Sequence, residues 1–139
     1  MIVHPAMFTQ ANPKRVVIVG GGDGGTLREV LRHNPDEVVM IDIDKELVEA
    51  CAQHLPSLNK GAFEDPRVTL VFEDASKALQ QYNNTFDVAF IDCNDAVGTS
   101  ERLFEETFYA TVDNALKGDG LCMVQAGSML DEQSLTQTR

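Results

Sequence analysis

The sequence predicts an α/β protein built on a mostly parallel sheet with helices on both faces. Short apolar runs of strand length alternate five times with helical patterns through short connections, which is typical of parallel sheets. A glycine-rich turn, residues 20–25, separates the first apolar run from the first helical pattern. Acidic residues follow four of the runs. Because ligands of such sheets bind beside the carboxyl ends of the strands, a site is predicted there.

Five strands are predicted because each is a mainly apolar run of four to six residues, bounded by turn-forming residues. They are Val16–Val19, Val38–Ile41, Val68–Phe72, Phe86–Ile91 and Leu121–Val124. The lead-in before the first strand contains Pro5 and Pro13 and is predicted to be irregular. Residues 57–65 are predicted to form a loop.

Four helices are predicted after the first four strands, because apolar residues recur there at helical spacing. The first runs from Thr26 to near His33. The second has Asp44 as its predicted N-cap and ends at Pro56. The third is short and ends at about Gln81. The fourth is long and carries Leu103, Phe104, Phe108, Val112, Ala115 and Leu116.

The composition indicates one globular domain, residues 1–139, which is long enough to form a core without disulfides or a metal ion. Hydrophobic residues make up 43% of the chain. The three cysteines are widely spaced and form no C-x-x-C motif, so neither a disulfide framework nor a zinc site is predicted. Cys51 and Cys122 are expected to be small core residues.

The chain is strongly acidic, with 22 acidic and 11 basic residues and a formal charge of −11. This charge repels phosphate backbones and anionic membrane surfaces, so no nucleic acid and no membrane are expected as partners. The chain contains no apolar run long enough for a membrane span, and its first residues lack the pattern of a signal peptide. The expected location is therefore cytoplasmic.

The turn after the first strand has the G-x-G-x-x-G spacing. Gly20, Gly22 and Gly25 occupy its three positions, and Asp42 ends the next apolar run twenty residues beyond Gly22. Glycines at these positions permit a tight turn and a close approach of a ligand to the backbone. An acidic side chain at Asp42 can accept both hydroxyls of a ribose. The pattern predicts a nucleoside-type ligand, with a merely structural turn as the alternative.

The other acids favour cationic ligands. Asp23 lies inside the glycine turn, where its charge repels a pyrophosphate or a carboxylate and attracts an ammonium or sulfonium group. Asp92 and Asp95 follow a buried strand and are placed to hold or deprotonate an amine. Asp74 is explained equally well as a helix N-cap and as a ligand contact. The acids together predict a positively charged nucleoside and a second, amine-bearing substrate.

The segment Gly20–Val30 resembles the signature of the spermidine synthases, the polyamine aminopropyltransferases. A glycine turn with an internal Asp is more specific than a general nucleotide fingerprint. The resemblance covers nearly the whole chain. It continues in His4-Pro5, Asp42-Ile43-Asp44, Leu55-Pro56, Asp65-Pro66-Arg67-Val68, Glu73-Asp74-Ala75, Phe86-Asp87-Val88, Asp92 to Asp95, Leu103-Phe104, Ala115-Leu116, Asp119-Gly120 and Gln125.

The resemblance implies a methyltransferase-like Rossmann fold and an enzyme that moves the aminopropyl group of decarboxylated S-adenosylmethionine to putrescine. The products would be spermidine and methylthioadenosine. Decarboxylated S-adenosylmethionine would be a co-substrate, and no prosthetic group and no metal are implied. The family's homodimeric assembly is expected for the full-length protein.

Residue by residue, the resemblance implies that Asp23 faces the aminopropyl ammonium, Asp42 the ribose hydroxyls and the pair Asp74-Ala75 the adenine. Asp92 and Asp95 are the implied catalytic residues. Asp92 would be the general base, and Asp95 would help to hold the acceptor amine. The implied substrate-binding residues are Gly20, Gly22, Asp23, Gly24, Asp42, Ile43, Asp74, Ala75, Asp92, Cys93, Asn94 and Asp95.

Three features depart from the family's pattern. The segment Asp92-Cys93-Asn94-Asp95-Ala96 stands where the family has Asp-Ser-Ser-Asp-Pro, and Gly98-Thr99-Ser100 stands where it has Gly-Pro-Ala. Without these prolines the loop is expected to be less rigid, and the acceptor amine stays open. Asp42 stands where the family commonly has Glu. The family's amino-terminal strand domain and final strands are missing, so the chain is expected to be truncated at both ends.

Four alternatives stay open. The first is an amine N-methyltransferase that uses intact S-adenosylmethionine, and the second is a synthase with a longer acceptor such as spermidine. The third is a catalytically silent homologue with a binding or assembly role, which the retention of all five site acids disfavours. The last is a nicotinamide dehydrogenase. The charge of Asp23 argues against both the methyltransferase and the dehydrogenase, because their ligands carry a carboxylate or a pyrophosphate.

Overall fold

The computed structural model describes residues 2–93 and 106–125 and confirms the predicted α/β fold. The strands are β1 (Arg15–Gly20), β2 (Glu37–Ile41), β3 (Val68–Val71), β4 (Phe86–Asp92) and β5 (Leu116–Val124). The helices are α1 (Val3–Thr9), α2 (Gly25–Leu31), α3 (Lys45–His54), α4 (Pro56–Asn59), α5 (Ala75–Ala78) and α6 (Glu106–Ala115). Two 3₁₀ turns, Ala62–Glu64 and Leu79–Gln81, follow α4 and α5.

The strands form one parallel sheet in the order β3-β2-β1-β4-β5. The chain runs outward from β1 through β2 to β3 and then crosses to β4 on the other side of β1. The carboxyl ends of β1 and β4 therefore flank the topological switch point, where ligands of Rossmann-like sheets bind. The register there places Gly20 opposite Asp92.

Both faces of the sheet are covered by helices. Alternate residues of β1 contribute to the two cores, with Val16 and Ile18 in one and Val17 and Val19 in the other. The first core includes side chains from α1, α2 and α3, and the second includes side chains from α5 and α6. A strand buried on both faces needs apolar residues at consecutive positions, which explains the unbroken apolar run in β1.

The lead-in was predicted to be irregular, and this prediction was wrong, because it contains α1. Pro5 lies in the first turn of α1, where the missing N–H leaves no helical hydrogen bond unmade. Val3, Ala6 and Met7 are buried at helical spacing in the same core as α2. Burial of this face stabilises a helix that the local sequence does not predict.

The buried carboxylate of Glu29 ties α1 to α2. Its oxygens lie 2.9 Å from Nε of Arg28, 3.2 Å from Nη1 of Arg32 and 3.0 Å from Nε2 of His4. Burial opposes ionisation of Glu29, but the hydrogen bond from Arg28 and the charges of Arg32, Arg28 and His4 outweigh it and lower the pKa. His33, which lies near the end of α2, contacts Nδ1 of His4 through its Nε2 at 2.8 Å. This cluster places His4 at the contact between α1 and α2.

The boundary between α6 and β5 also differs from the prediction. Leu116 was assigned to the helix, but it pairs with Phe86 and begins β5. The pairing register then shifts, and the residues that the shift accommodates include Gly118 and Gly120. Pairing with a distant strand decides this boundary, and local spacing does not reveal it. The predicted beginning of the helix, with Leu103 and Phe104, lies outside the described residues.

Two smaller predictions also need correction. Cys51 is buried as expected, but Cys122 is exposed because β5 is the edge strand of the described sheet. Residues 57–65, predicted to form a loop, contain most of α4 and a 3₁₀ turn. Within residues 2–93 and 106–125, no helix has the length and apolar character needed to cross a membrane.

Candidate active site

Backbone contacts hold the glycine turn, residues 20–25, against the end of β4. The N–H of Gly21 donates to the carbonyl oxygen of Asp92 at 2.9 Å. Gly20 has a φ of +85°, and a Cβ atom at this position would lie 2.3 Å from the same carbonyl oxygen. A side chain at Gly20 would therefore strain the turn and clash with backbone. The predicted tight turn is confirmed, and its hydrogen bond to Asp92 holds it against the end of β4.

Asp23 lies on the exposed part of the glycine turn. Its Oδ1 accepts a hydrogen bond from the N–H of Gly25 at 2.8 Å, which orients the carboxylate at the start of α2. The charge of Asp23 is one of the influences that raise the pKa of Asp92. The two carboxylates therefore lie close enough for their charges to interact across the crevice.

Asp42 directly follows β2 and is half-buried. Its Oδ1 accepts a hydrogen bond from the N–H of Asp44 at 2.9 Å, and its Oδ2 lies 3.0 Å from the point that a Cβ of Gly22 would occupy. Burial raises the pKa of Asp42, the hydrogen bond from Asp44 opposes the rise, and the charge of Asp44 adds to it. Asp44 caps α3 as predicted, since its carboxylate accepts from the N–H of Leu47. The side chain of Ile43, beside these acids, is exposed.

Asp74 caps α5, because its Oδ1 accepts a hydrogen bond from the N–H of Ser76 at 2.8 Å. The capping interpretation of Asp74 is thus confirmed. The neighbouring Ala75 is buried in the core that α5 and α6 cover. Both residues follow β3 and lie at the same edge of the sheet as the glycine turn. Their predicted contact with adenine stays a prediction.

Asp92 is the last residue of β4 and is half-buried. Its Oδ2 accepts a hydrogen bond from the hydroxyl of Thr26, a residue that the sequence analysis did not identify. Burial raises the pKa of Asp92, the hydrogen bond from Thr26 opposes the rise, and the charge of Asp23 adds to it. A carboxylate with a raised pKa is a better proton acceptor than an ordinary one, so the position of Asp92 suits a general base.

Cys93 lies beside Asp92 with its Sγ 3.8 Å from the carbonyl oxygen of Val19. Burial and the charges of Asp92 and Asp42 raise the pKa of the Cys93 thiol to about 12. The thiol therefore stays protonated at neutral pH, which argues against a nucleophilic role. Asn94 and Asp95 lie outside the described residues, so their predicted roles stay predictions.

The segment after α3 supports the glycine turn, which the sequence analysis also missed. A Cβ atom at Gly24 would lie 2.6 Å from Cβ of Asn59 and 2.9 Å from the ring of Phe63. Asn59 is buried, and its side-chain amide donates to the carbonyl oxygen of Leu55 at 2.9 Å. Asn59 is the last residue of α4, and its contact with Gly24 depends on how this segment folds back, so no local sequence pattern indicates it.

The described site is a glycine turn surrounded by the carboxylates of Asp23, Asp42 and Asp92. Their negative charge disfavours a phosphate or carboxylate at the turn and favours a cationic group. Asp42 presents an acceptor beside the turn, where a ribose hydroxyl can donate to it. Asp92 presents a proton acceptor at the switch point. The arrangement suits binding of a cationic nucleoside and removal of a proton from a second substrate.

Comparison with known proteins gives matches over nearly the whole chain. The family model described as the spermine/spermidine synthase domain matches residues 1–139. Polyamine aminopropyltransferase 1 of Aquifex aeolicus is 45% identical over 129 residues, which are 92% of this chain and 46% of that protein. The spermidine synthase of Schizosaccharomyces pombe is 41% identical over 130 residues, 93% of this chain and 43% of that protein.

Two solved structures have closely similar folds. The spermidine synthase from Thermotoga maritima has a TM-score of 0.89 and 36% identity, covering 99% of this chain and 46% of that one. A spermidine synthase in complex with the transition state analogue AdoDATO has a TM-score of 0.89 and 35% identity, covering 97% of this chain and 48% of that one. The chain spans a little less than half the length of these relatives.

Proposed function

The chain belongs to the spermine/spermidine synthase family, and from that premise we propose that it forms the nucleoside-binding core of a polyamine aminopropyltransferase. The donor is decarboxylated S-adenosylmethionine, acting as a co-substrate, and the acceptor is putrescine. The observation that carries this proposal is the Asp23 carboxylate inside a glycine turn of the nucleotide-binding type. A carboxylate there fits a donor that ends in an ammonium group, and it opposes ligands that carry a negative group at this point.

Each of the three described carboxylates lies beside a different part of the donor. Asp42 accepts hydrogen bonds from the ribose hydroxyls, and Gly22 lets this carboxylate lie close to the turn. Asp23 faces the aminopropyl ammonium. Asp92, across the turn from Asp23, lies beside the reacting carbon. The exposed side chain of Ile43 offers an apolar surface to the adenine.

The reaction is a displacement at the aminopropyl carbon bonded to sulfur. An amine nitrogen of putrescine attacks this carbon, the C–N bond forms while the C–S bond breaks, and the bonding pair leaves with sulfur as neutral methylthioadenosine. The proton released by the attacking nitrogen passes to Asp92. Sulfonium sulfur is already a good leaving group, so alignment of the two substrates supplies much of the acceleration, up to about 7–11 kcal/mol for ideally oriented groups.

Putrescine as the acceptor, homodimeric assembly and a cytoplasmic location are parts of the proposal supported by the resemblance to the family. The names of the relatives support a polyamine-related acceptor, since polyamine aminopropyltransferases and a spermidine synthase are among them. The loop that would hold the acceptor, with Asp95, lies outside the described residues. Spermidine therefore stays the competing acceptor, and a transfer assay with each amine separates the two.

The proposal predicts that the purified chain binds decarboxylated S-adenosylmethionine at least about tenfold more tightly than intact S-adenosylmethionine, a difference of about 1.4 kcal/mol. The intact cofactor carries a carboxylate that Asp23 repels, and the decarboxylated form lacks it. Titration calorimetry on chain shown to be folded by circular dichroism measures both affinities. Tighter binding of the intact form would favour the amine N-methyltransferase. No binding of either form would remove the support for a donor site in this chain.

A further inference from the structure

Thr26 lies at the junction of the two elements that build the switch point. It is the second residue of α2, directly after the glycine turn, and its side chain is half-buried. Its hydroxyl donates a hydrogen bond to Oδ2 of Asp92 at the end of β4. The two residues are 66 positions apart in the chain. They meet because β1 and β4 are neighbours, with Gly20 opposite Asp92.

The hydrogen bond from Thr26 favours the charged form of Asp92, which the surroundings of this carboxylate otherwise disfavour. Burial and the charge of Asp23 both disfavour the ionised form of Asp92, and the hydrogen bond from Thr26 favours it. An ionised carboxylate accepts hydrogen bonds more strongly than a protonated one, so a hydroxyl that donates to it favours the ionised form. Thr26 is thus the described contact that keeps Asp92 ready to accept a proton.

The same contact fixes where the carboxylate lies. Oδ2 of Asp92 would be 3.3 Å from a Cβ atom at Gly21, so this oxygen lies against the glycine turn, where it also receives the Thr26 hydroxyl. A hydrogen bond to one oxygen limits rotation of the carboxylate about its terminal bond. The orientation of the proton acceptor is therefore set from α2.

We propose that Thr26 is a positioning residue, whose hydroxyl holds the Asp92 carboxylate ionised and correctly oriented in the crevice. This inference rests on the proposed function, in which Asp92 accepts the proton of the acceptor amine. Thr26 itself touches no reacting atom. It acts through Asp92, in contrast to a residue that merely fills the first turn of α2.

The test compares Thr26→Val, which keeps the branched shape and removes the hydroxyl, with Thr26→Ser, which keeps the hydroxyl. Carbon-13 NMR of the side-chain carboxyls follows the titration of Asp92, assigned by its loss in Asp92→Asn. We expect the Asp92 midpoint to move to higher pH in Thr26→Val and to stay near the wild-type position in Thr26→Ser. A purely structural role for Thr26 would not produce this pattern.

In aminopropyl transfer, Thr26→Val is expected to lower kcat about tenfold and to move the acidic limb of the pH–rate profile to higher pH. KM for the donor should change less than about threefold, because Thr26 does not contact the donor. Thr26→Ser should restore most of the rate. If Thr26→Val does not fold, Thr26→Ala replaces it in the same comparison.

An Asp92 titration in Thr26→Val that is identical to that of the wild type would overturn the inference. Equal losses of rate in Thr26→Ser and Thr26→Val would also overturn it, because the hydroxyl would then not matter. The titration needs no substrate and is therefore separable from the proposed function. If the wild-type chain bound no donor while the Asp92 midpoint still depended on the hydroxyl, the donor assignment would fail and the contact between Thr26 and Asp92 would stand.

Discussion

Replacing Asp92 with asparagine is expected to lower the rate of aminopropyl transfer by about 10²–10⁴-fold, the range typical of losing a general base. The amide of asparagine keeps the shape and can still accept the hydrogen bond from Thr26, but it cannot take a proton. Donor affinity should change far less than the rate. Single-turnover assays with decarboxylated S-adenosylmethionine and putrescine, together with donor titrations, separate the two quantities.

The same substitution is expected to stabilise the folded chain at neutral pH. The pKa of Asp92 is raised, chiefly by burial, so the folded state disfavours the charge that asparagine lacks. The stability difference should disappear as the pH falls below the ordinary range of an Asp carboxyl, because wild-type Asp92 is then neutral in both states. Wild-type activity should fall over the acidic range in which Asp92 becomes protonated. Urea unfolding and pH–rate profiles measure these effects.

An Asp92→Asn variant that keeps the wild-type rate across the pH range would contradict the role of Asp92 as a base. The control is Asp113→Asn, which removes one negative charge from the exposed end of α6. Asn114, the next residue, bonds to Asn84 before β4 begins, so this control lies near the opposite end of the sheet. The control should keep the activity and the stability of the wild type.

Replacing Gly20 with alanine is expected to lower the free energy of unfolding by about 3 kcal/mol or more. The positive φ of Gly20 is unfavourable for alanine, and the added Cβ would lie 2.3 Å from the carbonyl oxygen of Asp92. Relief of this clash would require the ends of β1 and β4 to separate. The separation would also disturb the donor site, so donor affinity should fall with stability.

Two other glycines serve as controls, because they separate the cost of a positive φ from the cost of the steric clash at Gly20. Gly61 also has a positive φ, of +76°, but a Cβ there would meet nothing within 4 Å, so Gly61→Ala should cost about 1 kcal/mol. Gly118 has an ordinary φ and the same open space, so Gly118→Ala should change stability by less than about 0.5 kcal/mol. Urea unfolding compares all three variants. A loss at Gly20 no larger than that at Gly61 would show that the contact with Asp92 does not constrain the turn.

Much of the fold could be predicted because its central strands, β1, β2 and β4, are buried on both faces. A run such as Val16–Val19 has few other stable placements, and the acids that end such runs necessarily meet at one edge of a parallel sheet. That reasoning placed Asp23, Asp42 and Asp92 together, and the structure confirms the placement. The role of Asp74 was harder to predict, because a helix cap and a ligand contact both favour Asp at the same position.

The features that the sequence did not reveal depend on contacts between distant segments. In the sequence, Pro5 indicates a break in any helix. The helix is stabilised by the packing of Val3, Ala6 and Met7 into the core, which local sequence does not show. The contact between Thr26 and Asp92 requires β1 and β4 to be neighbours, and local patterns do not specify strand order. Leu116 has the apolar character of either a helix or a strand, and pairing with β4 decides between them.

The donor preference of Asp23→Asn shows whether the Asp23 carboxylate selects the decarboxylated donor. The ratio of affinities for decarboxylated and intact S-adenosylmethionine, measured by calorimetry, should fall from at least about tenfold in the wild type to about one in Asp23→Asn. Asp113→Asn, with the same change in net charge, should keep the wild-type ratio. An unchanged ratio in a folded Asp23→Asn variant would contradict the assignment of Asp23 to the aminopropyl ammonium.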